Sequence, residues 1–300
     1  MKCNPRDEHL LPLEGSGILK DGQDLGRQVI KPLGTTKEHQ KMALSENDIR
    51  ELRVAKELLE DPSLTAKIGS LLGTPIEIAF DKLPKNWSVA VNDATKKSIE
   101  KALDVAIWTM DQSEQTPPSN WWHKFAVGTT GAAGGFFGLP ALAIELPVST
   151  TIMLRSIADI ARSEGEDLRF PDGKLQCIQV LALGGNSKSD NGAEAGYFAA
   201  RAALAKALSE ATSHLAEKGF AQKGAPALIK LIAKVASRFS IVVSEKAAAQ
   251  AVPIVGAAGG AFINTMFIGH FQDMGRGHFI VRRLERIHGP EEVRRIYDSL

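Results

Sequence analysis

Apolar residues recur along most of this chain at the three-to-four-residue spacing of a helix, and strict alternation is rare. Val91, Ile99, Leu103 and Ala106 mark one such face, with charged residues between them. The pattern predicts helices over 45–60, 61–80, 88–111, a Gly-rich segment from Phe125, 147–164, 171–183, 193–218, 227–244, a long helix after Pro253, and 291–297. Local signals support the boundaries. Ser45 and Asp48 form a capping box, Gly165 and Gly219 are natural stops, and Pro171 and Pro290 suit first helical positions. Pro140 is expected to break the Gly-rich segment, and Gly275 or Gly277 to bend the long helix.

Two stretches interrupt the amphipathic pattern. Phe125–Val148 carries one charge, Glu145, and 247–272 carries no Asp, Glu, Lys or Arg. Both contain the block GAAGG, at Gly131–Gly135 and Gly256–Gly260, each continued by an apolar residue and Phe. Glycines four apart share a helix face and let another backbone approach closely. The expected architecture is therefore an all-α single-domain helical bundle around two close-packed Gly/Ala-rich helices. Gly131, Gly135, Gly256 and Gly260 would lie at their contact. Residues 1–44 lack apolar periodicity and are expected to be a disordered extension, with the helical domain spanning 45–300. The two Gly-rich stretches are long enough to raise membrane insertion, but they are poor in Leu and interrupted by Pro, Asn and His. Core helices are the favoured reading.

Composition narrows the picture further. A chain of 300 residues, 44% hydrophobic with a formal charge of +1, can bury a sizeable core and has no general attraction for nucleic acid. Two cysteines, Cys3 and Cys177, offer no zinc spacing and suit a reducing compartment. The start, MKCNPRDEHLLPLEG, has no apolar core of the kind a signal peptide needs, so a cytoplasmic protein is expected.

Several polar residues stand among apolar ones. Arg155 and Asp159 are four apart and expected to pair, and Asn264 and His270 lie within the uncharged run. Glu145, His270 and Asp273 are the catalytic candidates: a carboxylate base with a histidine acid, and Arg155 to hold an anion. If the two GAAGG blocks ran parallel in register, Glu145 would meet His270. A structural ion-pair network of Arg155, Asp159 and Asn264 with these residues is the favoured alternative, since buried charges must find partners. A metal held by Glu145, His270, Asp273 and His278 has no signature spacing, so neither metal nor cofactor is expected. Arg276, Arg282, Arg283 and Arg286 form a basic run opposed by Glu285 alone, the one place where charge favours anionic lipid. The competing reading is a solvated face with internal pairs.

The block GAAGGFFGLPALAIELPVSTTIMLRSIADIARSEGEDL, followed by AAAQAVPIVGAAGGAFINTMFIGHFQDMGRGHFIVRRLERIHG, resembles the EcsC protein family over roughly 88–300. Pro147, Arg155, Asp159, Gly165, Pro253, Gly256, Asn264 and His270 carry the likeness in order. The family is named after the third gene of a bacterial operon for an ABC transporter, and the resemblance implies no established reaction. With the Gly-rich helices and the arginines, it leads to the expectation of a non-enzymatic accessory protein at the inner face of the membrane. Its partner would be anionic lipid or a membrane transport or secretion component. The rival expectation is a ligand-binding or hydrolytic protein with a polar site at Glu145, Arg155, Asp159 and His270.

Overall fold

The computed structural model describes residues 43–60, 64, 67, 69–70, 87–110, 138–184, 196–219, 225–250 and 256–300, without the side chains of 104–110, 138–144 and 256–261. Among these residues there are eight helices and no strand. They are α1 (Glu46–Glu60), α2 (Trp87–Met110), α3 (Gly138–Ser163), α4 (Pro171–Val180), α5 (Tyr197–Lys218), α6 (Pro226–Gln250), α7 (Gly256–His288) and α8 (Pro290–Ser299). The expectations for 1–42, for a helix over 61–80 as a whole, for the loop at 185–192 and for Gly131 and Gly135 lie outside the described residues.

The all-α bundle read from periodicity is what the chain forms, and local chemistry explains its boundaries. At α1 the Ser45 amide donates to Asp48 Oδ2 (3.0 Å) and the Asp48 amide to Ser45 Oγ (3.2 Å), a reciprocal capping box. After α3, Gly165 takes φ 76°; its amide reaches the Arg162 carbonyl and that of Glu166 the Ala161 carbonyl, closing a Schellman turn. This turn aims Glu164 and Glu166 back toward α7. Pro171 and Pro290 open α4 and α8 at positions whose amide needs no partner.

Two expectations are corrected. Pro147 does not start a new helix, because α3 runs unbroken from 138 to 163; the expected break of the Gly-rich segment at Pro140 turns on 125–137, which lie outside the described residues. Pro140 sits in the first turn, where its missing N–H costs nothing. Around Pro147 hydroxyls take up the backbone: Thr151 Oγ1 donates to the Pro147 carbonyl (2.8 Å), and Ser149 Oγ to those of Glu145 and Leu146 (both 3.2 Å). Helix α4 ends at Val180 rather than 183, and its last turn tightens into i→i−3 bonds from Leu181 to Leu183. Helix α7 is continuous through Gly275 and Gly277, 33 residues in all.

Helix α7 is the axis of the described structure. Against α3 its partners advance together, Ser156 with Gln272 and Glu164 with Arg283, so the two helices run parallel. Against α6 they run in opposite senses, Lys246 with Phe267 and Gln250 with Asn264. Phe239 of α6 packs with Phe267 and Phe271 of α7 at ring separations of 5.2–6.0 Å, at the heart of the large core. Helices α5 and α6 form the expected hairpin, tied by Glu210–Lys230 (3.0 Å). A second, smaller core of Leu52, Ala55, Tyr197, Ile280, Val281, Leu284, Val293 and Tyr297 joins α1, α5 and α8 to the C-terminal half of α7. There α1 lies antiparallel to α7, and Gly277 has no side chain because Leu59 and the Ala55 carbonyl occupy that space.

Candidate functional site

The uncharged half of α7 borders a cluster built from three helices. Lys246 of α6 is wholly buried. Its Nζ lies 2.5 Å from Glu145 Oε1 on α3 and 4.6 Å from the centre of the Phe267 ring on α7. One turn further along α6, Gln250 Nε2 faces Asn264 Oδ1 at 3.5 Å. A buried ammonium is tolerated only with its charge answered, and Glu145 with the ring face supplies that answer. Glu145 is thus a partner for a cation rather than a free base.

Glu145 and His270 do not meet. Aligned GAAGG blocks imply a sequence offset of 125 (256 minus 131), whereas the observed pair Ser156–Gln272 has an offset of 116 (272 minus 156). His270 therefore lies beside residue 154 of α3, nine residues or about 14 Å along the axis from Glu145. Its Nε2 instead approaches the Gly184 carbonyl at 3.3 Å. Arg155 and Asp159 do not pair either. Asp159 takes Arg162 at 2.7 Å on an exposed face, so helical spacing here favoured i,i+3 over the expected i,i+4 partner. Arg155 and Asp273 are half-buried and make no hydrogen bond or ion pair among the described residues. The metal set considered from sequence is dispersed: Glu145 binds Lys246, His270 faces Gly184, and His278 contacts Tyr197 and Gln176. No group of three or more His, Cys, Asp or Glu converges among the described residues. Gly256 and Gly260 lie in the first two turns of α7, but their contact with the Gly131 block lies outside the described residues.

The basic run is also redistributed. Arg282 binds Glu166 (2.7 Å) and Asp172 (2.8 Å), Arg283 binds Glu164 (2.7 Å) and Glu51 (2.6 Å), and Arg286 binds Glu166 and the Glu164 carbonyl. These three arginines are struts joining α7 to α1, α4 and the turn before α4, not a basic surface. Burial works against the Arg282 charge, but Glu166 and Asp172 outweigh it and raise its pKa. Arg276 and Arg286 are the exposed members of the four, and of these Arg276 has no ionic partner among the described residues.

Among the described residues, one face of α7 is partly uncovered. Phe262, Met266, Gly269, Asp273 and Arg276 follow one another at alternating spacings of four and three, so they share a stripe. Phe262 is 47% exposed, and no described residue lies within 4 Å of the side-chain position at Gly269. No described helix is long and apolar enough to cross a membrane. A groove of about 550 Å³ beside α1, lined by Arg53, Lys56, Glu57, Glu60 and Leu300 among others, includes none of the candidate residues.

Reading the sequence missed Lys246, Gln250, Glu166 and Tyr197. Lys246 had a signal: a lone cation ahead of Ala247–Ala249 in an apolar stretch. The others had none, because their partners lie more than a dozen residues away along the chain.

No curated protein and no solved structure matches the chain. A family model described as the EcsC protein family matches residues 46–284, from the first residue of α1 to Leu284 in the last turns of α7. With most of its length covered, including the Lys246–Glu145 cluster and the struts Arg282 and Arg283, the chain belongs to the EcsC protein family.

Proposed function

We propose that the protein is a non-enzymatic accessory component that docks on a membrane surface through the uncharged half of α7. The observation that carries this reading is the exposed Phe262, with half-buried Met266 and Gly269 on the same stripe, ahead of Arg276, which has no ionic partner among the described residues. An exposed apolar strip next to a free cation suits the boundary between acyl chains and anionic headgroups. Within the run, the cation contribution comes from Arg276, because Arg282, Arg283 and Arg286 are engaged within the protein. Docking would be peripheral, in keeping with the absence of a crossing helix among the described residues. A hydrolytic reading has less support, since Glu145, Asp159 and His270 each have a structural partner and do not converge.

Vesicle flotation tests the proposal. The full chain should float with vesicles of neutral lipid containing an anionic lipid, and Phe262→Asp should weaken binding about tenfold or more, the worth of one inserted aromatic side chain. A chain that stays in solution with both neutral and anionic vesicles rules the reading out. Flotation only in vesicles carrying membrane proteins would point to a transport or secretion component as the partner.

A further inference from the structure

A polar chain with no solvent at its centre runs beneath the small core. His278 of α7 is fully buried. Its Nδ1 lies 2.8 Å from the Tyr197 hydroxyl of α5 and its Nε2 lies 3.3 Å from Gln176 Oε1 of α4. The neighbours determine who donates. Arg201 Nη1 donates to the Tyr197 oxygen (3.2 Å), so the phenolic proton goes to His278 Nδ1, and Nε2 carries the ring proton toward Gln176 Oε1. Beyond these, Arg201 forks onto Glu285 (2.7 and 2.9 Å). On the other side Gln176 Nε2 donates to Asp172 (3.1 Å), which also accepts from Arg282.

The bond from the Tyr197 hydroxyl to His278 Nδ1 requires a neutral imidazole. A second ring proton would turn Nδ1 into a donor and leave the Tyr197 proton without an acceptor in a buried space, a cost of the kind paid by any orphaned polar group. The charges around the ring are Arg201 from α5, Arg282 and Glu285 from α7, and Asp172 and Glu166 from α4 and the turn before it. From α8 and α1 the small core presents Tyr297, Val293, Leu52 and Ala55, none of which answers a positive ring. Burial first, then the Arg201 and Arg282 charges, hold the His278 pKa well below its ordinary 6.5.

We propose that His278 is an acid-sensitive lock, whose protonation frees the first turns of α5 and the small core on α7 while the large core stays folded. The place of Tyr197 motivates the local character: it belongs to the small core, packs on Tyr297 of α8 at 6.0 Å, and makes the one link of the chain that a second ring proton breaks. The direction follows from linkage. The open form binds a proton at about pH 6.5 and the closed form does not, so opening grows as pH falls, about tenfold per unit below that value. This inference is independent of membrane docking.

Hydrogen exchange of the full chain at about pH 7.5 and about pH 5.5, corrected for intrinsic chemical exchange, tests it. At the lower pH the amides of 197–204 and 290–299 should exchange about tenfold faster, with α6 unchanged, and His278→Gln should abolish the difference. Equal protection at both pH values, loss spread evenly into α6, or the same acid response in His278→Gln overturns the proposal. Should that variant not fold, ring nitrogen shifts of the unaltered protein decide. One histidine must remain a neutral Nε2–H tautomer to about pH 5.5; titration of every ring near its ordinary value contradicts the lock.

Discussion

The two halves of α7 solve one packing problem in opposite ways. From Gly256 to Gln272 the helix has no ionic side chain of its own and relies on ring packing of Phe267 and Phe271, with one charge pair contributed by its neighbours. From Asp273 to His288 it is bound by cross-helix ion pairs to α1, α4, α5 and the Schellman turn. The glycines mirror this division. Gly277 admits α1, whereas no described residue comes within 4 Å of a side chain at Gly269. A helix held by directional pairs on several sides has its neighbours specified; one held by apolar packing on one side leaves another free for a partner.

The contrast can be broken first at its one buried charge. Glu145→Ala leaves the Lys246 ammonium buried without a counter-charge and should cost about 3–5 kcal/mol in urea unfolding. Lys246→Met should cost less, because the Glu145 side chain retains 23% exposure and can rehydrate. A similar loss from both would mean that packing, not charge, holds the cluster. At Gly277 an added methyl would stand 2.7 Å from Leu59 Cγ and 3.0 Å from the Ala55 carbonyl. Gly277→Ala should therefore cost about 1–3 kcal/mol, read from the same unfolding curves. Gly269→Ala meets nothing and should instead stabilise by about 0.5–1 kcal/mol, the helix-propensity difference. The opposite signs at two glycines eight residues apart are the sharpest stability test of the division. Smallest of all is Asp159→Ala, which removes an exposed pair and should change stability by no more than about 0.5 kcal/mol.

What could be read from sequence was local. The Ser45–Asp48 box, the Gly165 stop, the α5–α6 hairpin and the all-helical class each depend on residues a few positions apart, and each formed. The partners of the polar residues depended on the rotation and offset of whole helices. The repeated GAAGG block suggested an offset that α3 and α7 do not adopt, and that one difference separated Glu145 from His270. The arginines show the same limit. Their run looked like a surface because Glu51, Glu164, Glu166 and Asp172 lie more than a hundred residues away in the chain.

The division of α7 is tested most directly by one label placed on either half. With Cys3 replaced by serine and Cys177 buried, a polarity-sensitive fluorophore is attached at Phe262→Cys or at Ile287→Cys, both positions exposed in the free protein. On adding vesicles of neutral lipid containing an anionic lipid, the account predicts a blue shift and loss of aqueous quenching at 262 and no change at 287. A response at 287 alone, or equal responses at both positions, would contradict it.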